Sequence, residues 1–458
     1  MAKAQHNSNE SRKILGRTFL YPKKPQGNLY NKRKWFSYSL LLLLFASPFV
    51  KLNGEQLILL NLLERKFVFF GLIFTPQDFY LFALAMLIFM LFIVCFTVVL
   101  GRLWCGWACP QTIFMEMIFR RIEYWIEGDA NQQRKLDAQP WNAEKIWKKG
   151  LKHALFLLIS FLIANTFLAY IIGSDKLYLI ITEPIGEHAS GFVSIWIFTF
   201  VFYGVFSYLR EVVCTVICPY GRLQGVLLDN KSLIVAYDEV RGEPRGHLQK
   251  NATQPLKGDC IDCGLCVQVC PTGIDIRKGT QLECVNCTAC IDACDEVMLK
   301  INKPKKLIGF YTHDFITHRT RFKIGARGIG YAAVLFVVLM VFSSLVYKRE
   351  EVQTTVLRAS GTLFQKRNDG SIANLYNAEL INKTNKDIKF TLKSADKNDR
   401  IELIQADTLL PKEGTARLTF FLIKKPKNIK EFKSKVAFEV QENNITISKA
   451  STTFFSQP

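Results

Sequence analysis

Residues 260–271 read Cys260-Ile-Asp-Cys263-Gly-Leu-Cys266-Val-Gln-Val-Cys270-Pro271, and residues 284–294 repeat the pattern as Cys284-Val-Asn-Cys287-Thr-Ala-Cys290-Ile-Asp-Ala-Cys294. Each copy holds three thiols separated by two residues and a fourth after three more. Soft thiolates this close together can converge on iron from all sides, as a 4Fe–4S cluster requires. Zinc sites instead use two cysteine pairs across a longer spacer.

The paired runs have the spacing of a two-cluster bacterial ferredoxin, in which the fourth cysteine of each run reaches across to the other cluster. Cys260, Cys263, Cys266 and Cys294 are therefore assigned to one 4Fe–4S cluster, and Cys284, Cys287, Cys290 and Cys270 to the second. Pro271 follows Cys270, whereas Asp295 follows Cys294, so the second turn is expected to be the looser one.

The rest of the composition frames these runs. Of 13 Cys in 458 residues, eight lie between Cys260 and Cys294 and none in the last 164 residues. A secreted disulfide scaffold would spread its cysteines. Hydrophobic residues make up 49% of the chain and the mean hydropathy is +0.13. These values exclude a disordered chain and are unusual for a wholly soluble enzyme. The 59 Lys+Arg against 39 Asp+Glu give a net charge of +20, which suits nucleic acid or a membrane surface.

Five stretches read as membrane spans: Trp35–Val50, Phe79–Leu100, Ala154–Ile172, Gly191–Leu209 and Ile329–Tyr347. A helix of about 22 residues rises about 33 Å, close to the hydrocarbon thickness. A signal peptide competes for the first stretch, but the polar segment before it is too long and Pro48 sits badly for cleavage. The run Leu57–Phe74, broken by Glu64-Arg65-Lys66, is expected at the interface. Residues 1–34, read as a flexible basic tail, and the loops 101–153 and 210–327 hold 35 Lys+Arg, whereas 51–78 and 173–190 hold four.

Basic residues stay on the cytoplasmic side. The expectation is a multi-pass α-helical protein of the bacterial inner membrane, its spans in lipid. Its N-terminus and inserted ferredoxin-like domain (221–327) would lie inside, and residues 351–458 in the periplasm. The positive charge is then a topology signal, and no nucleic-acid partner is expected, because no basic stretch carries interleaved aromatics. Disulfides do not suit a cytoplasmic loop.

Residues 79–109 and 191–218 look like one unit used twice. Each is an apolar span followed by Arg102-Leu-Trp-Cys105-Gly-Trp-Ala-Cys109-Pro110 or Arg210-Glu-Val-Val-Cys214-Thr-Val-Ile-Cys218-Pro219, with both cysteines offset by 109 residues. The match implies an internal repeat. Cysteines four apart share one helix face, and the proline can open a new turn. Small-residue packing is the plainer explanation, yet Cys, Cys and Pro in register twice favour a site. Cys105, Cys109, Cys214 and Cys218 are thus candidate copper or redox thiols at one membrane face. Their softness suits Cu(I), zinc or a further cluster, and a dithiol–disulfide relay is also open to them.

Residues 351–458 differ in kind. Runs such as Ile388-Lys-Phe-Thr-Leu392 and Ala416-Arg-Leu-Thr-Phe-Phe-Leu-Ile423 alternate with period two and predict an immunoglobulin-like antiparallel β-sandwich. Elsewhere, Cys95 reads as core packing, and Met86 and Met90 as an apolar stripe rather than copper thioethers. His153, His188, His313 and His318 stand alone. No Cys-x-x-Cys-His, Gly-x-Gly-x-x-Gly or Walker loop occurs, so c-type haem and nucleotide binding are unsupported.

The combination of basic tail, paired Cys-x-x-x-Cys-Pro units, eight-cysteine segment, further span and β-sandwich resembles one family. It is that of the FixG/CcoG cytochrome c oxidase accessory proteins, also called RdxA-type iron–sulfur membrane proteins, and the resemblance covers nearly the whole chain. It implies an oxidoreductase, a cupric reductase that turns Cu(II) into Cu(I) for assembly of a cbb-type oxidase. It further implies copper as substrate or bound ion, with oxidase assembly factors and copper chaperones or transporters as partners. A cytoplasmic or quinol donor would supply the electrons. A membrane polyferredoxin subunit serving a respiratory reductase is the alternative; it shares the Cys-x-x-x-Cys-Pro repeats, and the C-terminal sandwich separates the two. A redox sensor or scaffold for the oxidase is a third reading.

Overall fold

The computed structural model describes residues 10–14, 17–52, 54–62, 66–74, 78–184, 186–247, 258–359, 361, 363–396, 398–406, 408–429 and 431–456. Among them, four helical segments are long and apolar enough to cross a membrane: Phe79–Leu100, Ala143–Ile172, Ala189–Leu209 and Ala326–Tyr347. The chain forms two compact units, residues 1–49 with 84–340 and residues 50–83 with 341–458.

In the first unit, Met86, Phe89 and Met90 on Phe79–Leu100 are exposed, as lipid-facing side chains are, so the apolar stripe of the two methionines lies on the outer surface of the helix. Helix Ala143–Ile172 starts eleven residues before the predicted span. Asn142 caps it by accepting the N–H of Lys145 at 2.8 Å, and Gly173, at φ 94°, ends it. Its inner face packs through Phe156 onto Phe119, which stacks on Phe206 at 4.4 Å. Charged groups at the end of this core are paired rather than bare. Arg210 donates two bonds to Glu123 at 2.6 and 2.9 Å, and Arg120 pairs with Glu116 and Glu211. Burial would raise the Glu123 carboxyl, yet Arg210 and Lys152 hold it down to about 2.

The first predicted span becomes helix Asn28–Ala46, which is not among the four. Its first turns carry Lys32, Arg33 and Lys34, and the apolar remainder reaches only about 18 Å, short of a bilayer. Its start is fixed from afar. The Asp292 carboxylate accepts the N–H groups of Leu29 at 3.2 Å and Tyr30 at 2.7 Å, a capping service that Gly27 has no side chain to give. Nor is the described part of the predicted tail loose. Residues 1–9, 15 and 16 lie outside the described residues, but Glu10–Ile14 pairs with Arg17–Leu20, and Tyr21 is buried against Asp137.

In the second unit, the run expected at the interface forms a small antiparallel sheet of Ile58–Asn61, Lys66–Phe69 and Leu72–Phe74. Leu59, Val68 and Ile73 are buried in it, so alternation outweighs total apolarity there; residues 63–65 lie outside the described set. The C-terminal domain pairs a sheet of Val352–Arg358, Ile372–Asn382, Thr415–Lys424 and Arg400–Ala406 with one of Thr391–Ser394, Lys433–Glu442 and Ile445–Phe455. Gln365–Lys366 extends the first. Tyr376, Phe420 and Phe438 meet in the core with ring centroids 5.2–5.7 Å apart. Asp78 accepts from Arg349 and Lys383, both at 2.7 Å.

Candidate iron–sulfur and thiol centre

The two cysteine loops share one backbone conformation. Asp262 and Gly264 in the first, and Asn286 and Thr288 in the second, have φ between 52° and 67° and flank the middle cysteine. Left-handed residues so placed turn N–H groups to one side and make a concavity that suits an anion. Gly264 reaches this region without a Cβ penalty; Thr288 does so with its hydroxyl bonded to the Cys287 carbonyl at 2.7 Å. Each loop then enters a helix, Leu265–Gln268 or Ala289–Lys300, that carries the third cysteine.

One cavity is lined by Cys260, Cys263, Cys266 and Cys294. A second is lined by Cys270, Cys284, Cys287 and Cys290, with Cys266 on the wall between them. The fourth cysteine of each run has crossed to its neighbour's cavity. Four soft sulfurs per cavity fit a 4Fe–4S cluster. Cys263 is exposed, whereas no thiol of the second set is. Burial pushes Cys266, Cys284 and Cys294 up to about 12 and Cys287 up to about 11. Iron must therefore displace protons as it enters. Replacing Cys270 with Ser is expected to lower iron from about eight to about four atoms per chain, and to remove the centre of Cys284, Cys287 and Cys290. Loss of the Cys260–Cys266 centre instead would refute the crossing.

The Cys-x-x-x-Cys-Pro motifs do not lie on one helix face, as their spacing had predicted. Cys105 sits in helix Leu103–Trp107, Cys109 is extended at φ −64° and ψ 125°, and Pro110 opens the next helix. Cys214 lies in the π-turn Val213–Ile217, Cys218 is extended at φ −69° and ψ 112°, and Pro219 opens Pro219–Leu227. Proline at the first helical position dictates both breaks.

The four thiols nonetheless form one group. Burial, then Cys109 and Cys214, push Cys105 up to about 12; burial, then Cys109 and Cys218, do the same to Cys214. Cys105 donates to Gln224 Oε1 at 3.1 Å, and the Thr112 hydroxyl favours the thiolate at both Cys109 and Cys214. Sequence alone gave no sign of Thr112 or Gln224. Among the described residues no three of these sulfurs lie within 4.8 Å of one another, whereas a tetrahedral single-ion site needs about 3.8 Å. The set is thus more open than a closed mononuclear site. The one triad that close is Glu183, Glu187 and His188, so His188 does not stand alone as its sequence context suggested.

The two cysteine sets, expected to be separate, are in contact. Cys105 packs against the buried group of Val269, Val285, Cys287, Ala289 and Ala293, and Cys290 packs against the same group. Gly106 sits so close to the second loop that an added Cβ would lie 2.3 Å from the Val285 carbonyl oxygen.

Two thiol-lined cavities, with the half-buried Cys105 packed beside the second on a domain of apolar helices, mark a membrane iron–sulfur oxidoreductase that transfers electrons. Residues 209–313 match a family described as a 4Fe-4S dicluster domain, 82–128 a 4Fe-4S binding domain, and 342–457 the IG-like fold at the C-terminal of FixG. Protein RdxA of Cereibacter sphaeroides is 33% identical over 390 residues, 82% of each chain. Its RdxB is 34% identical over 80% of this chain and 79% of its own. The nitrogen fixation protein FixG of Rhizobium meliloti is 38% identical over 64% of this chain and 57% of its own. The chain belongs to the FixG/RdxA family. A crystal structure of a FixG-related protein from Vibrio parahaemolyticus overlaps 24% of this chain and all of its own, at 18% identity and a TM-score of 0.20.

Proposed function

We propose that the protein reduces Cu(II) to Cu(I) at Cys105, Cys109, Cys214 and Cys218, in service of cbb-type oxidase assembly. The observation that carries this reading is that Cys105 packs against the buried group that holds Val285 and Cys287, against which Cys290 also packs, so the two sulfur sets share one apolar cluster. When bound, the clusters supply one-electron storage. The Cys263 side is the entrance for electrons, because its thiol alone is exposed, and the Cys284–Cys290 side is the exit. Cu(II) gains one electron from there, and four soft thiols favour Cu(I) as the product. The 35-to-four charge asymmetry supports a cytoplasmic ferredoxin-like domain and a periplasmic C-terminal domain. Copper chaperones or transporters and oxidase assembly factors are the partners this role requires.

The test is Cu(II) reduction by the purified, iron-loaded protein, followed with a Cu(I) chelator; a preparation that holds iron, accepts electrons and leaves Cu(II) unreduced would sink the reading. Because burial holds the Cys105 and Cys214 thiols high, copper capture must release protons. The rate is therefore expected to rise between about pH 6 and 8, by up to about tenfold per unit for each proton released. A flat profile would mean that copper meets no thiol before the electron arrives.

One observation favours a second reading, a polyferredoxin-type electron-transfer subunit. Residues 82–128 match a 4Fe-4S binding family but contain only Cys95, Cys105 and Cys109, so Cys214 or Cys218 must complete any cluster there. Iron near twelve rather than eight atoms per chain, about four per cluster, would favour it.

A further inference from the structure

Four arginines of the described chain are buried, and they fall into two pairs. Arg120 and Arg210 have carboxylate partners, Glu116 and Glu211 for one and Glu123 and Glu211 for the other. Arg33, 2% exposed, and Arg102, 5% exposed, have none within salt-bridge distance among the described residues. Arg33 donates from Nε to the Gly106 carbonyl at 2.8 Å, and its Nη2 has no hydrogen-bond partner among the described residues. Arg102 donates to the carbonyls of Leu282 and Gly221, and its Nε has no hydrogen-bond partner among the described residues. A buried cation without an anion is costly, and carbonyl oxygens compensate only part of a full charge.

Both side chains border the same place. Arg102 holds Leu282, two residues before Cys284. Arg33 holds Gly106, which abuts Val285 and Asn286. The anion they await is thus a four-thiolate 4Fe–4S centre, a dianion when oxidised and a trianion when reduced. At the first centre the corresponding charge, Arg277, is already tied to Asp275 and Asp262. The repeat sharpens the contrast. Arg102 and Arg210 close equivalent spans, yet Arg210 is neutralised by Glu123 and Arg102 faces the second cysteine loop.

We propose that Arg33 and Arg102 are the counter-charges of the centre at Cys270, Cys284, Cys287 and Cys290, and that they place its reduction potential above that of the centre at Cys260, Cys263, Cys266 and Cys294. Burial alone would do the opposite, because the added electron is poorly solvated away from water. With the arginines in place, electrons collect at the centre beside Cys105, and transfer toward the thiols runs downhill within the protein. The proposal rests on the cluster reading given above.

The test is an EPR-monitored redox titration of the purified, iron-loaded full chain. Two one-electron waves are expected in the wild type. In R102Q and in R33Q the higher wave should move down, its reduced-to-oxidised ratio at a fixed potential falling at least tenfold, a shift of about 59 mV for one electron. The lower wave should stay, and R102K should keep the wild-type position. A higher wave unmoved in both Gln variants, or two waves moving together, would overturn the proposal. If R102Q assembles no second centre, R102K decides: iron retained with lysine and lost with glutamine supports counter-charge, and loss in both means that only the hydrogen bonds matter. A wild-type protein without iron would end the cluster reading itself, whereas iron present with unmoved waves ends this proposal alone.

Discussion

Gly106→Ala is expected to cut Cu(II) reduction by about 5- to 100-fold, the rate equivalent of carrying most of an overpacking cost of about 1–3 kcal/mol into the barrier. Alanine is a better helix former than glycine, so helix Leu103–Trp107 itself should not suffer. The damage comes from the far side. A methyl at this position would stand 2.3 Å from the Val285 carbonyl oxygen and 3.0 Å from the Asn286 carbonyl carbon. Both are backbone atoms of the loop that carries Cys284 and Cys287, and they cannot rotate away. Either the loop moves off the thiols or the helix does. Gly150→Ala provides the control, because nothing lies within 4 Å of the added atom and the helix gains propensity. Equal effects of the two substitutions would show that the close approach at Gly106 has no bearing on electron transfer.

The largest loss is expected from changing Cys105, Cys109, Cys214 and Cys218 together to Ser. Serine keeps nearly the same volume, which matters because Cys105 is part of the packed group around Val285 and Cys287. It replaces a soft ligand by a hard one at all four places. Removing a mere outer-shell partner of a metal commonly costs about 10–100-fold, and deleting the ligands themselves should exceed that. The variant is expected to retain both reduced-state EPR signals while copper reduction collapses. Wild-type reduction rates would remove these thiols from the mechanism. Disappearance of the Cys284–Cys290 signal with them would instead make the thiols a support for that loop.

Sequence made legible what is local and repeated. The eight ferredoxin cysteines, the register of Cys105 with Cys214, and the uncharged run Phe79–Leu100 each announce themselves within a few residues or at a fixed period. What stayed hidden depends on partners far along the chain. Helix Asn28–Ala46 begins seven residues before its apolar run because Asp292 caps it, and no pattern near residue 28 encodes that. The strands at 58–74 are hidden by their apolar content, which reads as one continuous run until the alternation is weighed. Cys109 and Cys218 leave their helices because proline follows, and the break by proline overrides the helical spacing of the cysteines.

The cap at Asp292 also orders events during synthesis. Leu29 leaves the ribosome 263 positions before the carboxylate that completes its helix. At about 5–20 residues per second that is a wait on the order of 10–50 s. Throughout it the entrance of helix Asn28–Ala46 has two unmet backbone donors. Asp292 lies between Cys290 and Cys294 in helix Ala289–Lys300, so the element that caps the N-terminal helix also carries one thiol of each cysteine-lined cavity. A single carboxylate therefore couples the start of the N-terminal helix to the helix that carries a thiol for each cluster.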